Sequence, residues 1–88
     1  MMVPTIHNNG TDGQELLDQV TNAAQALLAA FTAMAAAAPN ARDYYVQGDT
    51  AAAKAQNEHA ERCTKLRSVL NDYRDLAEAI ADANDERS

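Results

Sequence analysis

Residues 16–38 read LLDQVTNAAQALLAAFTAMAAAA, and the spacing of the large residues in this run decides the fold. Leu17, Val20, Ala24, Leu27, Phe31, Met34 and Ala38 recur at alternating steps of three and four, the seam of a helix that packs against another helix. Leu16 and Leu28 widen that seam into the broader apolar stripe of a bundle helix. The run is rich in Ala, the strongest helix former, and contains neither Pro nor Gly. Thr11 or Asp12 is placed to cap its start, because Gln14 and Glu15 come three residues after each in capping-box register. Pro39 disfavours helical geometry at Ala38 and ends the run. A helix over 12–38 is about 40 Å long.

The face opposite the seam is the informative one. Asp18, Asn22 and Gln25 make its first turns polar. Ala26, Ala29, Ala33, Ala36 and Ala37 come next, with Thr32 the one polar residue among them, and no charge occurs between Asp18 and Arg42. A long chargeless face is a poor solubility strategy. It is therefore expected to be a second contact surface, centred on Ala26, Ala29, Ala33 and Ala36, where small side chains admit another helix. Exposed helix filler is the alternative.

The second helix is expected from about Thr50 to Asp85. Leu66, Val69, Leu70, Tyr73, Leu76, Ala77 and Ile80 fall on one side of it. Ala52, Ala55, His59 and Cys63 continue this core line with small or polar groups, a weak half expected to lie against the Phe31–Met34 end of the first helix. Asp72, Asp75, Glu78, Asp82, Asp85 and Glu86 form an acidic stripe on the other side. A solvated face is the usual meaning of such a stripe, and a basic partner is the sharper one. Residues 84–88 read as a frayed polar end.

Between the helices, Asn40 caps a short helical turn over Ala41–Gln47, Gly48 closes it, and Asp49 or Thr50 caps the second helix. Tyr44 and Tyr45 sit at this corner. One is expected to plug the end of the bundle and the other is available to a partner, since Tyr combines an apolar ring with a hydrogen-bonding tip. Residues 1–11 form an extended arm, because Pro4 blocks helix and His7-Asn8-Asn9-Gly10 is turn chemistry. Val3 and Ile6 give the arm an apolar side suited to a neighbouring subunit, the alternative being a frayed terminus.

The chain has 88 residues, enough for one domain. With one Phe, three Tyr and no Trp, its core is built from Leu, Val, Ile and Ala. Thin cores of this kind are often completed by self-association or a partner. A net charge of −6 argues against nucleic-acid binding through phosphate neutralisation and against docking on an anionic membrane. Cys63 stands alone, so no intrachain disulfide forms. The first basic residue is Arg42, so no signal peptide is expected. Ala23–Ala38 is too short and too Ala-dominated for a membrane span.

Motifs with chemistry are scarce. His59 and Cys63 share a helical face, but a transition-metal site needs three or four ligands, and the other histidine, His7, lies in the arm. No Gly-rich loop is present to form a phosphate cradle or an oxyanion hole beside a Cys–His pair. No catalytic, cofactor or metal site is expected. Glu58–Arg62, Glu61–Lys65 and Arg74–Glu78 are spaced as surface ion pairs.

Size, hairpin and Ala content are shared with the small secreted WXG-type hairpin proteins. Their Trp-x-Gly turn is absent here, and the Tyr45–Asp49 Tyr-x-x-x-Asp falls at the corner instead of the tail, so no family is assigned.

The expected architecture is all-α: an antiparallel helical hairpin over residues 12–88, with a short helical turn at its corner and an N-terminal arm over 1–11. The expected function is non-enzymatic. It is that of a structural or assembly protein that forms a homo-oligomer or docks on a larger protein assembly through the Ala face and the arm. Small acidic Ala-rich helical chains are common in bacteriophage virions and accessory proteins, so the cytoplasm or a phage particle is the expected location. The alternative is a small acidic inhibitor that mimics nucleic acid and blocks a basic site on its partner.

Overall fold

A computed structural model describes residues 1–87. Two long helices, α1 (Gly13–Ala36) and α2 (Ala51–Arg87), run antiparallel and are joined by two 3-10 turns, Ala41–Asp43 and Tyr45–Gln47. The hairpin measures 62 × 19 × 18 Å, a rod about three times as long as it is wide. Among the described residues there is no strand.

α1 starts where its cap dictates. The Asp12 carboxylate accepts hydrogen bonds from the backbone N–H groups of Gln14, at 3.1 Å, and Glu15, at 3.2 Å. These are two of the donors that a helix start leaves without a carbonyl. The other end comes two residues earlier than Pro39 suggests. The Ala37 N–H still bonds to Ala33 and Met34, and Ala38 closes a final tight turn on Ala35 at 3.3 Å, which brings the chain out of the helix before proline sterics act.

The corner is two turns rather than one. Asn40 Oδ1 accepts from the Arg42 N–H at 3.0 Å and starts the first, and Tyr44 breaks the run before the second. Gly48 then takes φ 114° and ψ 170°, a backbone region that essentially only glycine visits. α2 begins one residue after Thr50, whose carbonyl accepts from Lys54 N–H at 3.0 Å.

Two contacts set the register. Asn84 Nδ2 donates to the Gly13 carbonyl at 3.1 Å, and the Arg67 guanidinium lies 5.0 Å from the centre of the Phe31 ring. Leu70–Ile80 therefore packs against Leu16–Leu27, while the first turns of α2 overhang the end of α1. This register keeps Cys63 level with the Met34 end of α1 and corrects the expectation only for the first turns of α2. Ala51 and Ala55 share a hollow with Pro39, Tyr44 and Gln47, so the corner segment covers them. Small residues suffice there because a loop approaches closer than a helix does.

The C-terminal end also differs from expectation. α2 continues to Arg87, whose Nη1 donates to the Ile6 carbonyl at 2.7 Å. With Asn84 on Gly13, two polar side chains clamp the arm and the start of α1 to the end of α2. Ser88 lies outside the described residues.

The core is thin. Leu70 and Ile80 are the only buried large side chains among the described residues, at 4% and 1% exposure. Val69 at 42% and Leu28 at 44% flank the seam in the open. Tyr73, expected inside, is 37% exposed and lines a hollow with Met1, Asp72 and Leu76.

Candidate interaction surface

α1 carries the Ala face along the outside of the hairpin. Ala26, Ala29, Ala33 and Ala36 are all exposed, as are Asp18, Asn22 and Gln25 nearer the helix start. Thr32 does not add polarity to this face, since its hydroxyl donates to the Leu28 carbonyl at 3.2 Å inside its own helix. The alanine turns thus offer water little to hydrogen-bond.

At the corner, Tyr44 is half-buried in the hollow over Ala51 and Ala55, whereas Tyr45 and Val46 are 74% and 75% exposed. The backbone separates the two tyrosines, because Tyr44 stands between the two 3-10 turns at φ −122° and ψ −15° while Tyr45 opens the second. One ring plugs the end of the hairpin and the other faces solvent with a valine beside it.

The arm folds back on its own chain. Gly10 N–H closes a turn on the His7 carbonyl at 3.1 Å, Ile6 is half-buried beside Gly13, and Met1 shares a hollow with Asp72, Tyr73 and Leu76. Val3 remains 38% exposed, and Met1 and Met2 are 71% and 92% exposed. Sequence alone suggests a neighbouring subunit as the seat of this arm. Within one chain α2 provides it, because Arg87 fixes Ile6 at the end of that helix.

Asp72, Asp75, Glu78, Asp82, Asp85 and Glu86 are all exposed along one side of α2. Farther up, Arg62 pairs with Glu58 at 3.6 Å. With both side chains about half exposed or more, such a pair is worth little to stability. His59 Nε2 and Cys63 Sγ lie 3.5 Å apart and half-buried. Among the described residues no group of three or more His, Cys, Asp or Glu is placed to hold a metal ion. No described helix is long and apolar enough to cross a membrane.

Three residues escape a reading of the sequence: Arg67 on Phe31, Asn84 on Gly13 and Arg87 on Ile6. Each pairs with a group far along the chain, and no local pattern announces such a partner. No protein-family model, no curated protein and no solved structure matches this chain. The fold defines a two-helix antiparallel hairpin with a minimal core and an apolar arm clamped across one end.

Proposed function

We propose that this protein is a non-enzymatic assembly component that associates with copies of itself or docks on a larger protein complex. One observation carries the reading: the isolated chain buries too little. Its accessible surface is 6421 Å². A compact monomer of its 9.5 kDa mass exposes roughly 5,000 Å² by the usual scaling. The excess, roughly 1,400 Å² on one chain, exceeds the roughly 800 Å² per partner that a standard protein interface removes from water. The open Val69, Leu28, Tyr45 and Val46 are the side chains that gain most from such a contact. A phage particle, the setting suggested by composition, is an assembly of this kind.

Light scattering over a concentration series, at low and high salt, tests the proposal. An assembly held by apolar contact persists in high salt, and Ala33→Glu weakens it. A monomer at every concentration, together with no protein captured at high salt, refutes it. The acidic stripe supports a second reading, that of an inhibitor seated on a basic site. That partner would dissociate in high salt and on changing Asp75 and Asp82 to Asn.

A further inference from the structure

Two hollows lie along one side of the seam between α1 and α2. One reaches Phe31, Leu70 and Arg67, the other reaches Ala77, and Leu28 and Arg74 belong to both. Together they make one groove, in which Leu70 is buried and Leu28 is 44% exposed. Charge sets this groove apart. The chain carries 13 Asp and Glu against 7 Lys and Arg. Yet among the described residues no carboxylate lines either hollow, while two guanidiniums do. Neither is neutralised within the chain. Glu58 and Arg62 pair at 3.6 Å, whereas among the described residues Arg74 makes no ion pair with Glu78, although the spacing is the same. Arg67 lies over the Phe31 ring instead of on a carboxylate.

We propose that this groove docks an acidic amphipathic helix of a partner protein, which lays apolar side chains on Leu28 and Phe31 and sets a carboxylate on each arginine. The inference rests on the assembly reading above and names the surface and the chemistry of the partner. First, the charges are complementary and spaced for a helix. Arg67 and Arg74 are two turns apart, about 10.5 Å, and any helix laid along them repeats its own face at the same interval. Second, the shape is that of a helix seat. A groove between two packed helices accepts the side-chain ridge of a third. From Phe31 to Thr21 it runs about 15 Å, close to three helical turns. Third, the groove asks for apolar and anionic groups at once. A phosphate backbone brings only charge and needs more than two cations to hold it. A second copy of this chain also spaces Asp75 and Asp82 by seven, but the apolar side of its α2 is already taken by its own α1, with Leu70 and Ile80 buried.

Fluorescence anisotropy at low salt tests this with the full chain and a capped peptide of about 20 residues, long enough to hold a helix in water. The peptide carries Leu on one face and Glu at seven-residue steps beside it. A second peptide has Gln for each Glu, and a third has Lys. The expected result is that the Glu peptide binds at least about tenfold more tightly than the Gln peptide. The difference disappears in the Arg67→Gln, Arg74→Gln double variant. The Arg67→Glu, Arg74→Glu double variant prefers the Lys peptide, a reversal that loss of folding does not produce. Leu28→Glu weakens binding of the Glu peptide, and Ala29→Glu, on the outer face, leaves it unchanged. Circular dichroism confirms that each variant stays helical. Equal binding of the Glu and Gln peptides, or no binding of either, overturns the proposal, and the high-salt light scattering above then decides the assembly reading separately. If the Glu peptide fails to bind while the charge-reversed double variant loses self-association, a second copy is the occupant and the acidic partner is refuted.

Discussion

Replacing Gly13 with Ala should destabilise this protein, although the same change in a helix ordinarily stabilises. Gly13 is the first residue of α1 and is buried. On helix grounds alone, removing the freedom of glycine from the unfolded chain gains about 0.4–1 kcal/mol. The tertiary structure reverses the sign. A Cβ built at Gly13 runs into the Asn84 side-chain amide, with Cγ at 3.0 Å, and meets Ile6 Cδ1 at 3.2 Å. Asn84 must swing away and give up its 3.1 Å bond to the Gly13 carbonyl. Loss of that bond costs about 1 kcal/mol, and crowding Ile6 adds to it, at about 1 kcal/mol on the low side of overpacking costs. The net loss is about 1 kcal/mol, and Tm falls by about 4–8 °C for a chain of this size. Urea unfolding followed by circular dichroism measures it, and a double-mutant cycle isolates the cause. Asn84→Ala alone loses about 1 kcal/mol, but in that background Gly13→Ala becomes neutral or stabilising. A Gly13→Ala protein more stable than its parent, or equal effects in both backgrounds, would refute the clamp.

The same geometry fixes three further outcomes. Ile80→Ala, at the most enclosed position, should lose about 2–5 kcal/mol, a large share of the roughly 4–13 kcal/mol available to a domain this long. Val69→Ala at low protein concentration should lose far less, and equal losses in urea unfolding would show that the seam is not where the core lies. Gly48→Ala meets no atom within 4 Å but forces φ 114° on a residue with a Cβ, so it should lose about 1–3 kcal/mol through backbone strain alone; an unchanged Tm would contradict this. Asp12→Ala removes the acceptor for two N–H groups and should cost about 1 kcal/mol, whereas Asp12→Asn should keep most of the cap. Equal thermal shifts for both would argue against the cap.

Much of this fold is legible in the chain. The three-and-four spacing of Leu17 to Met34 and of Leu66 to Ile80 specifies two amphipathic helices, since a helix returns to the same face about every 3.6 residues. The Asp12 cap, the Asn40 turn and the glycine at 48 are equally local, because each satisfies backbone groups within a few residues of itself. The exposed Ala face and acidic stripe come from the same periodicity.

Only the tertiary structure decided how the helices slide and which way the hairpin faces. Periodicity is blind to a shift of one turn, so it could not foresee that α2 overhangs α1 and that the corner covers Ala51 and Ala55. Asn84 and Arg87 look like solvated residues at a free end, yet their partners are the Gly13 and Ile6 carbonyls at the other end of the chain. Arg67 likewise looks like a solvated residue of α2, and only the register places it over Phe31. Local sequence dictates which backbone groups are satisfied and which face is apolar. Contacts between residues distant in sequence settle where those faces meet.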